Sequence, residues 1–200
     1  MSHTWQRLLG LTSLLLLAGC ATQATDIFPT SPSATSQLLV FRALERAVAR
    51  LDLAPLRDRR VRLEIVSQLY DHKFAATYLE TWLRTHGVKV GDDEPDLRLQ
   101  VFLLTLGTDH GQSFIGLPSF QVPVLAIPVP EIAIFKWIRN RGRADLRAYA
   151  FDPKTADLVD LLPETTGRAK YDDFTILVVI GFSATDTNDP LPASPHAGEP

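Results

Sequence analysis

The stretch LRLQVFLLTLG, from Leu97 to Gly107, decides the fold. It opens by alternating, with Leu97, Leu99 and Val101 set against Arg98 and Gln100. Successive side chains of a strand point to opposite faces, so this opening is a strand with one apolar face. From Val101 to Leu104 both faces are apolar. A strand that is apolar on both faces belongs inside a sheet.

Toward the amino terminus, Arg60 to Val66 repeats the alternation, with Val61, Leu63 and Ile65 opposed to Arg60, Arg62 and Glu64. The nearby cluster Arg57, Arg59, Arg60 and Arg62 is interleaved with Asp58 and Glu64, as on a solvated turn and strand face. Between the two strands, Asp71 to His86 predicts a helix capped by Asp71 and stopped by Gly87. Phe74, Tyr78 and Trp82 recur at four-residue spacing, the pattern of a core-facing stripe. An acidic turn, Gly91 to Pro95, follows. Earlier still, Gln37 to Ala54 predicts a helix with Ser36 as N-cap and Pro55 as its stop. Its apolar stripe is Phe41, Leu44, Val48 and Leu51, with Arg42, Glu45, Arg46 and Arg50 mostly off it. The stripe is expected to pack on the domain's own sheet.

Toward the carboxyl terminus, Gly107 to Pro130 is unusual. No charged residue lies between Gly111 and Pro130, and Pro118, Pro123, Pro128 and Pro130 forbid a regular helix or central strand. Long loops of this kind are uncommon and are often functional. The expectation is a loop folded back over the domain, the alternative being a surface kept for a partner or a membrane. Glu131 to Ile138 and Gly142 to Phe151 read as strands, the second with Ala144, Leu146, Ala148 and Ala150 on one face. Turn residues from Asp152 to Thr155 join it to Leu158–Leu162 as a hairpin. Phe174 to Phe182 is apolar on both faces and predicts a central strand. The expected architecture is α/β (α+β): a mixed, mainly antiparallel sheet of five or six strands with two helices on one face.

At the start of the chain, Arg7 precedes an apolar run from Leu8 to Ala18, whose last two residues open Leu17-Ala18-Gly19-Cys20. The run is about half of the ~20 residues that span a bilayer, and the order is that of a secretory signal. Cys20 is the only cysteine, and a thiol at that place accepts a diacylglyceryl group. These residues resemble a bacterial lipoprotein signal, with Leu17, Ala18 and Gly19 recognised and Cys20 lipidated with palmitate-like chains. Ala21, where an Asp would favour the inner membrane, implies the inner leaflet of the outer membrane, facing the periplasm. The expected organisation is a signal peptide (1–19), a flexible tether (20–36), one globular domain (37–183) and a disordered tail (184–200).

With an apolar fraction of 46% and a formal net charge of -3, nothing points to nucleic acid. Glycines 107 and 111 are not followed by the Lys-Ser/Thr of a phosphate loop. Asp109, His110 and Ser113 suggest a triad only superficially, because near neighbours rarely reach that geometry. His72, His86 and His110 lack metal-ligand spacing, and Asp186 to Asp189 lacks the pattern of a calcium loop. No catalytic residue, metal or cofactor is assigned.

The run from Gln37-Leu-Leu through Arg46-Ala-Val, Leu51-Asp-Leu and Pro55-Leu resembles the opening of a family of uncharacterised bacterial lipoproteins. So do Gly107-Thr-Asp, Gly116-Leu-Pro, Pro130-Glu-Ile-Ala-Ile-Phe-Lys and Tyr149-Ala-Phe-Asp. The family brings no activity with it. Thr155-Ala156 departs from its Thr-Gly, which bears on the hairpin turn. More distantly, the element order resembles curli-secretion-type lipoproteins and the amino-terminal domain of the Tol translocation protein. That implies a role in envelope assembly or transport.

The leading expectation is a non-enzymatic, membrane-anchored protein that binds an envelope protein partner. Its candidate interaction loop comprises Thr108, Asp109, His110, Phe114, Pro118, Phe120, Pro128, Pro130 and Glu131. One alternative is an enzyme acting on cell wall or lipid through Asp109 and His110. The other is a homo-oligomer, a subunit of a self-assembling ring.

Overall fold

A computed structural model describes residues 33–68, 72–122 and 127–192. The lipobox residues Leu17, Ala18, Gly19 and Cys20, the tether to residue 32, the expected cap Asp71, Pro123 and the last eight positions lie outside the described residues.

The fold is α/β (α+β). The helices are α1 (Ala34–Val48) and α2 (Lys73–Thr85). The strands are β1 (Arg60–Ser67), β2 (Lys89–Val90), β3 (Leu97–Leu117), β4 (Phe120–Val122), β5 (Ile127–Val129), β6 (Ile132–Phe151), β7 (Leu158–Ile176) and β8 (Ile180–Thr185). Six strands form a mixed, mostly antiparallel sheet in the order β2-β1-β3-β6-β7-β8, and β4 pairs with β5. β1 is parallel to both β2 and β3, with Val61 opposite Leu97 and Ser67 opposite Leu103. Parallel neighbours need a crossover, and α2 supplies it. The 91–96 turn is tied to β1 by the Gly91 N–H donating to Val61 O and the Arg60 N–H donating to the Asp96 carboxylate at 2.7 Å.

The chain forms two compact units. The helical unit comprises Ser31–Asp109, Asn140–Tyr171 and Thr185–Pro200. Its core joins Ala43, Leu44, Ala47 and Val48 of α1, Leu79, Trp82 and Leu83 of α2, and one face of β1, β3 and β6. Two glycines set the approach of α1 to the sheet. A Cβ on Gly142 would sit 2.3 Å from Leu39 O, and one on Gly167 would sit 1.8 Å from Ala43 O. The helix backbone therefore lies directly on β6 and β7 there, and any side chain would push it away. Arg46, expected off the apolar stripe, is buried in this unit. It donates to the carbonyls of Arg168 and Asp186 and lies 3.0 Å from the Asp186 carboxylate.

Two strands of the helical unit change phase. Leu103 and Leu106 both pack against the core although they are three residues apart. Leu162 and Thr165 are likewise both buried, with Pro163 between them. An extra residue in a strand has this effect, and a proline inside a strand is found at such bulges.

The strand unit comprises His110–Arg139 and Asp172–Ala184. Here several expectations are corrected. Gly107–Pro130 is not a loop: β3 continues to Leu117, and β4 and β5 form a hairpin with Phe120 opposite Val129 and Gln121 opposite Pro128. Pro128 is accommodated in this pairing because a two-stranded sheet is all edge. Glu131–Ile138 and Gly142–Phe151 are one strand, β6. Leu158–Leu162 is only the start of β7. Phe174–Phe182 is no central strand but a hairpin that turns at Leu177–Val179, and β8 is the sheet's edge.

Both predicted helices shift their bounds. α1 begins three residues earlier than expected, because the Ser33 hydroxyl, not that of Ser36, accepts from the Ser36 N–H. It ends at Val48, and the Asp52 carboxylate caps the Ala54 N–H at 2.9 Å, a local bond that competes with further helix. Residues 185–192, expected in a disordered tail, are partly built into the helical unit. Thr187 is buried, and Asp186 accepts from the Lys170 N–H at 2.8 Å.

Candidate functional site

The strand unit carries the expected interaction residues from His110 onward, while Thr108 and Asp109 belong to the helical unit. Asp109 and His110 are consecutive in β3, so alternation sends their side chains to opposite faces. His110 and Ser113 are separated in the same way, so no triad is assembled. Phe114 is half-buried, whereas Pro118, Phe120, Pro128 and Pro130 are exposed. Glu131 accepts from Lys136 Nζ at 2.7 Å. Among the described residues no group of three His, Cys, Asp or Glu side chains could hold a metal ion.

The unit's chemistry is instead apolar and aromatic. Trp137 of β6 stacks on Phe174 of β7 at 5.6 Å between ring centroids, and Phe174 stacks on Phe182 of β8 at 4.9 Å. The Trp137 indole N–H donates to the Asp172 carboxylate at 3.1 Å, which fixes the ladder's polar end. The Arg139 guanidinium lies 4.7 Å over the Trp137 ring and packs beside Gly111.

Beyond this ladder lies a group of exposed aliphatic residues. Ile115, Leu117, Ile132, Ile134, Leu177, Val178, Val179 and Ile180 are all exposed, Val179 at 83%. They are drawn together at one end by backbone contacts. The N–H groups of Leu177 and Val178 donate to the carbonyls of Ile134 and Ala133, each at 2.9 Å. A Cβ on Gly116, at φ +155°, would lie 2.1 Å from Ile132 O. No family model matches the chain, and no curated protein matches it. The site therefore has to be read from its own chemistry.

Leu177, Val178, Val179, Trp137 and Phe182 were not singled out from the sequence. The signal of Leu177, Val178 and Val179 was present in the aliphatic run Ile176–Ile180, which has the composition of a buried strand. Only the turn placed in the middle of that run exposes it.

The sheet of the helical unit has a second accessible face. Phe102 meets Tyr149 edge-on at 5.7 Å, Arg98 lies over Phe151, and Arg147 pairs with Glu164. On the same face Asp145 is buried, at 3% exposure. Burial alone would raise its carboxyl pKa. Donation by Thr166 at 2.8 Å, by Arg143 at 2.7 Å and by Thr105, together with the Arg143 charge, holds it below the usual carboxylate range. A carboxylate held ionised and fully bonded in this way is a structural group, not an acid or base in waiting.

Proposed function

We propose that this chain is a lipid-anchored envelope protein that works by binding, with the strand-unit segment from His110 to Lys136 as its recognition surface. One observation supports this best: the segment forms strands, yet leaves Ile115, Leu117, Phe120, Ile132 and Ile134 facing solvent. Monomeric proteins rarely expose apolar side chains in such a group unless something covers them. The lipobox ending in Cys20 supports the anchored location, and the opposed faces of Asp109 and His110 favour binding over catalysis.

Deletion of Gly116–Pro128 tests the reading, with circular dichroism to verify that the rest folds. A partner captured from the native envelope by the intact protein should be lost. Undiminished capture by a folded deletion variant would contradict the assignment.

A second reading, a subunit of a self-assembled ring, draws on the open edges. β2 and β8 end the main sheet, so two copies could pair edge to edge. A monomeric mass for the lipidated protein in detergent would rule that out.

A further inference from the structure

The turn between β7 and β8 is built from residues that a water-exposed turn should not use. Between Asp173 and Asp186 there is no charged residue, and Ile176 to Ile180 are five consecutive aliphatic residues. Leu177 and Val178 both have positive φ, at 49° and 68°. Glycine and asparagine normally fill such positions, and each other L-residue costs ~1–2 kcal/mol there. A β-branched valine at positive φ is a genuine outlier. The strained positions thus hold the aliphatic groups that water favours least.

Three further observations indicate what covers this tip. First, its backbone donors are satisfied internally. The Leu177, Val178 and Val179 N–H groups bond to Ile134 O, Ala133 O and Leu177 O. Hydrocarbon demands this of any backbone it receives, whereas a protein partner usually finds hydrogen bonds to exchange. Second, the residue types change with distance from the tip. Along β6, aliphatic Ile132 and Ile134 are followed by Lys136, whose ammonium pairs with Glu131, and then by Trp137 and Arg139. Aliphatic residues first, then aromatic and cationic ones together, is the order of hydrocarbon and interface. Third, the scale agrees. Ala133 and Ile134, bonded to the tip, are three or four residues from Trp137, about 10–14 Å of strand. Half of a bilayer's hydrocarbon core is ~15 Å.

We infer that the Leu177–Ile180 tip, with Ile132 and Ile134 beside it, inserts into one leaflet of a lipid bilayer, and that Trp137, Phe174 and Phe182 lie at its interface. Leu177–Ile180 lie outside the recognition surface proposed above, and Ile132 and Ile134 form the border that the two share. The inference relies on the lipid-anchored reading only for proximity to a membrane: covalent geometry limits the chain from Cys20 to Ser33 to ~45 Å.

The test uses the full lipidated chain in vesicles of phosphatidylethanolamine and phosphatidylglycerol. With Cys20 acylated, a cysteine introduced by Val179→Cys is the only free thiol, and it is labelled with bimane. Lys154→Cys, in the exposed turn between β6 and β7, serves as control. Expected at 179 are a blue-shifted emission and its loss to lipids brominated along the acyl chain, with neither change at 154. Leu177→Asn with Val178→Gly, residues that suit the left-handed turn, should keep the hairpin and abolish the quenching at 179. Water-like emission at 179 without bromolipid quenching would overturn the inference. So would a shielded but unquenched label on a protein of higher-order mass, which would place a second copy on the tip. If mass spectrometry finds no acyl group on Cys20, the anchored reading fails by itself, and quenching by added vesicles, measured with Cys20→Ser in place so that position 179 is again the only thiol, still decides the tip.

Discussion

At Ala156 the chain accepts a left-handed conformation, φ 61°, without the glycine that would adopt it freely. The turn holds because the Asp152 carboxylate accepts from the N–H groups of Lys154 and Thr155, which also lowers its own pKa. Ala156→Gly should therefore stabilise the protein by about 1 kcal/mol, visible as a raised urea midpoint. Gly167 is the opposite case. With Ala43 O where its Cβ would stand, Gly167→Ala should cost about 2–3 kcal/mol by the same measurement. Asp145 sets a pH dependence. Its folded pKa is depressed, so its contribution is complete above the ordinary aspartate range and is lost as pH falls through the lower folded value. Asp145→Asn should flatten the acid limb of stability, below about pH 4, compared with wild type.

At the scale of elements, the alternation of Arg60–Val66 and Leu97–Val101 was enough to place two strands and the helix between them. It failed where alternation was hidden. β3 carries the polar and glycine residues Gly107, Thr108, Asp109 and Gly111, which resemble a loop until cross-strand pairing with β6 decides. Pro163 marks a change of burial phase, not an end, and β7 runs well past it. The β7–β8 turn has no turn-forming residue, so Phe174–Phe182 could only look like a strand. Periodicity places Arg46 off the apolar stripe but is blind to a distant acceptor such as Asp186. That ion pair joins α1 to the segment after β8. Removing one partner of a buried pair strands the other, and Asp186 is partly exposed. Asp186→Ala should thus destabilise by about 2 kcal/mol in urea unfolding.

At the scale of the molecule, the class and the composition of the sheet were legible, because two-faced apolar strands and amphipathic helices leave few other arrangements. The candidate site was legible only in part. The absence of charge from Gly111 to Pro130 located the recognition segment, but its strand structure and the Ile176–Ile180 tip depend on pairings far apart in sequence. The central claim is that the strand unit is a binding surface covered in the envelope. A photocrosslinking residue at Phe120, an exposed position of β4, tests it most directly in living cells. The expected result is a discrete adduct with another envelope protein, absent when the crosslinker stands at Lys154. Phe120 and Lys154 giving the same pattern, or no adduct at either, would contradict it.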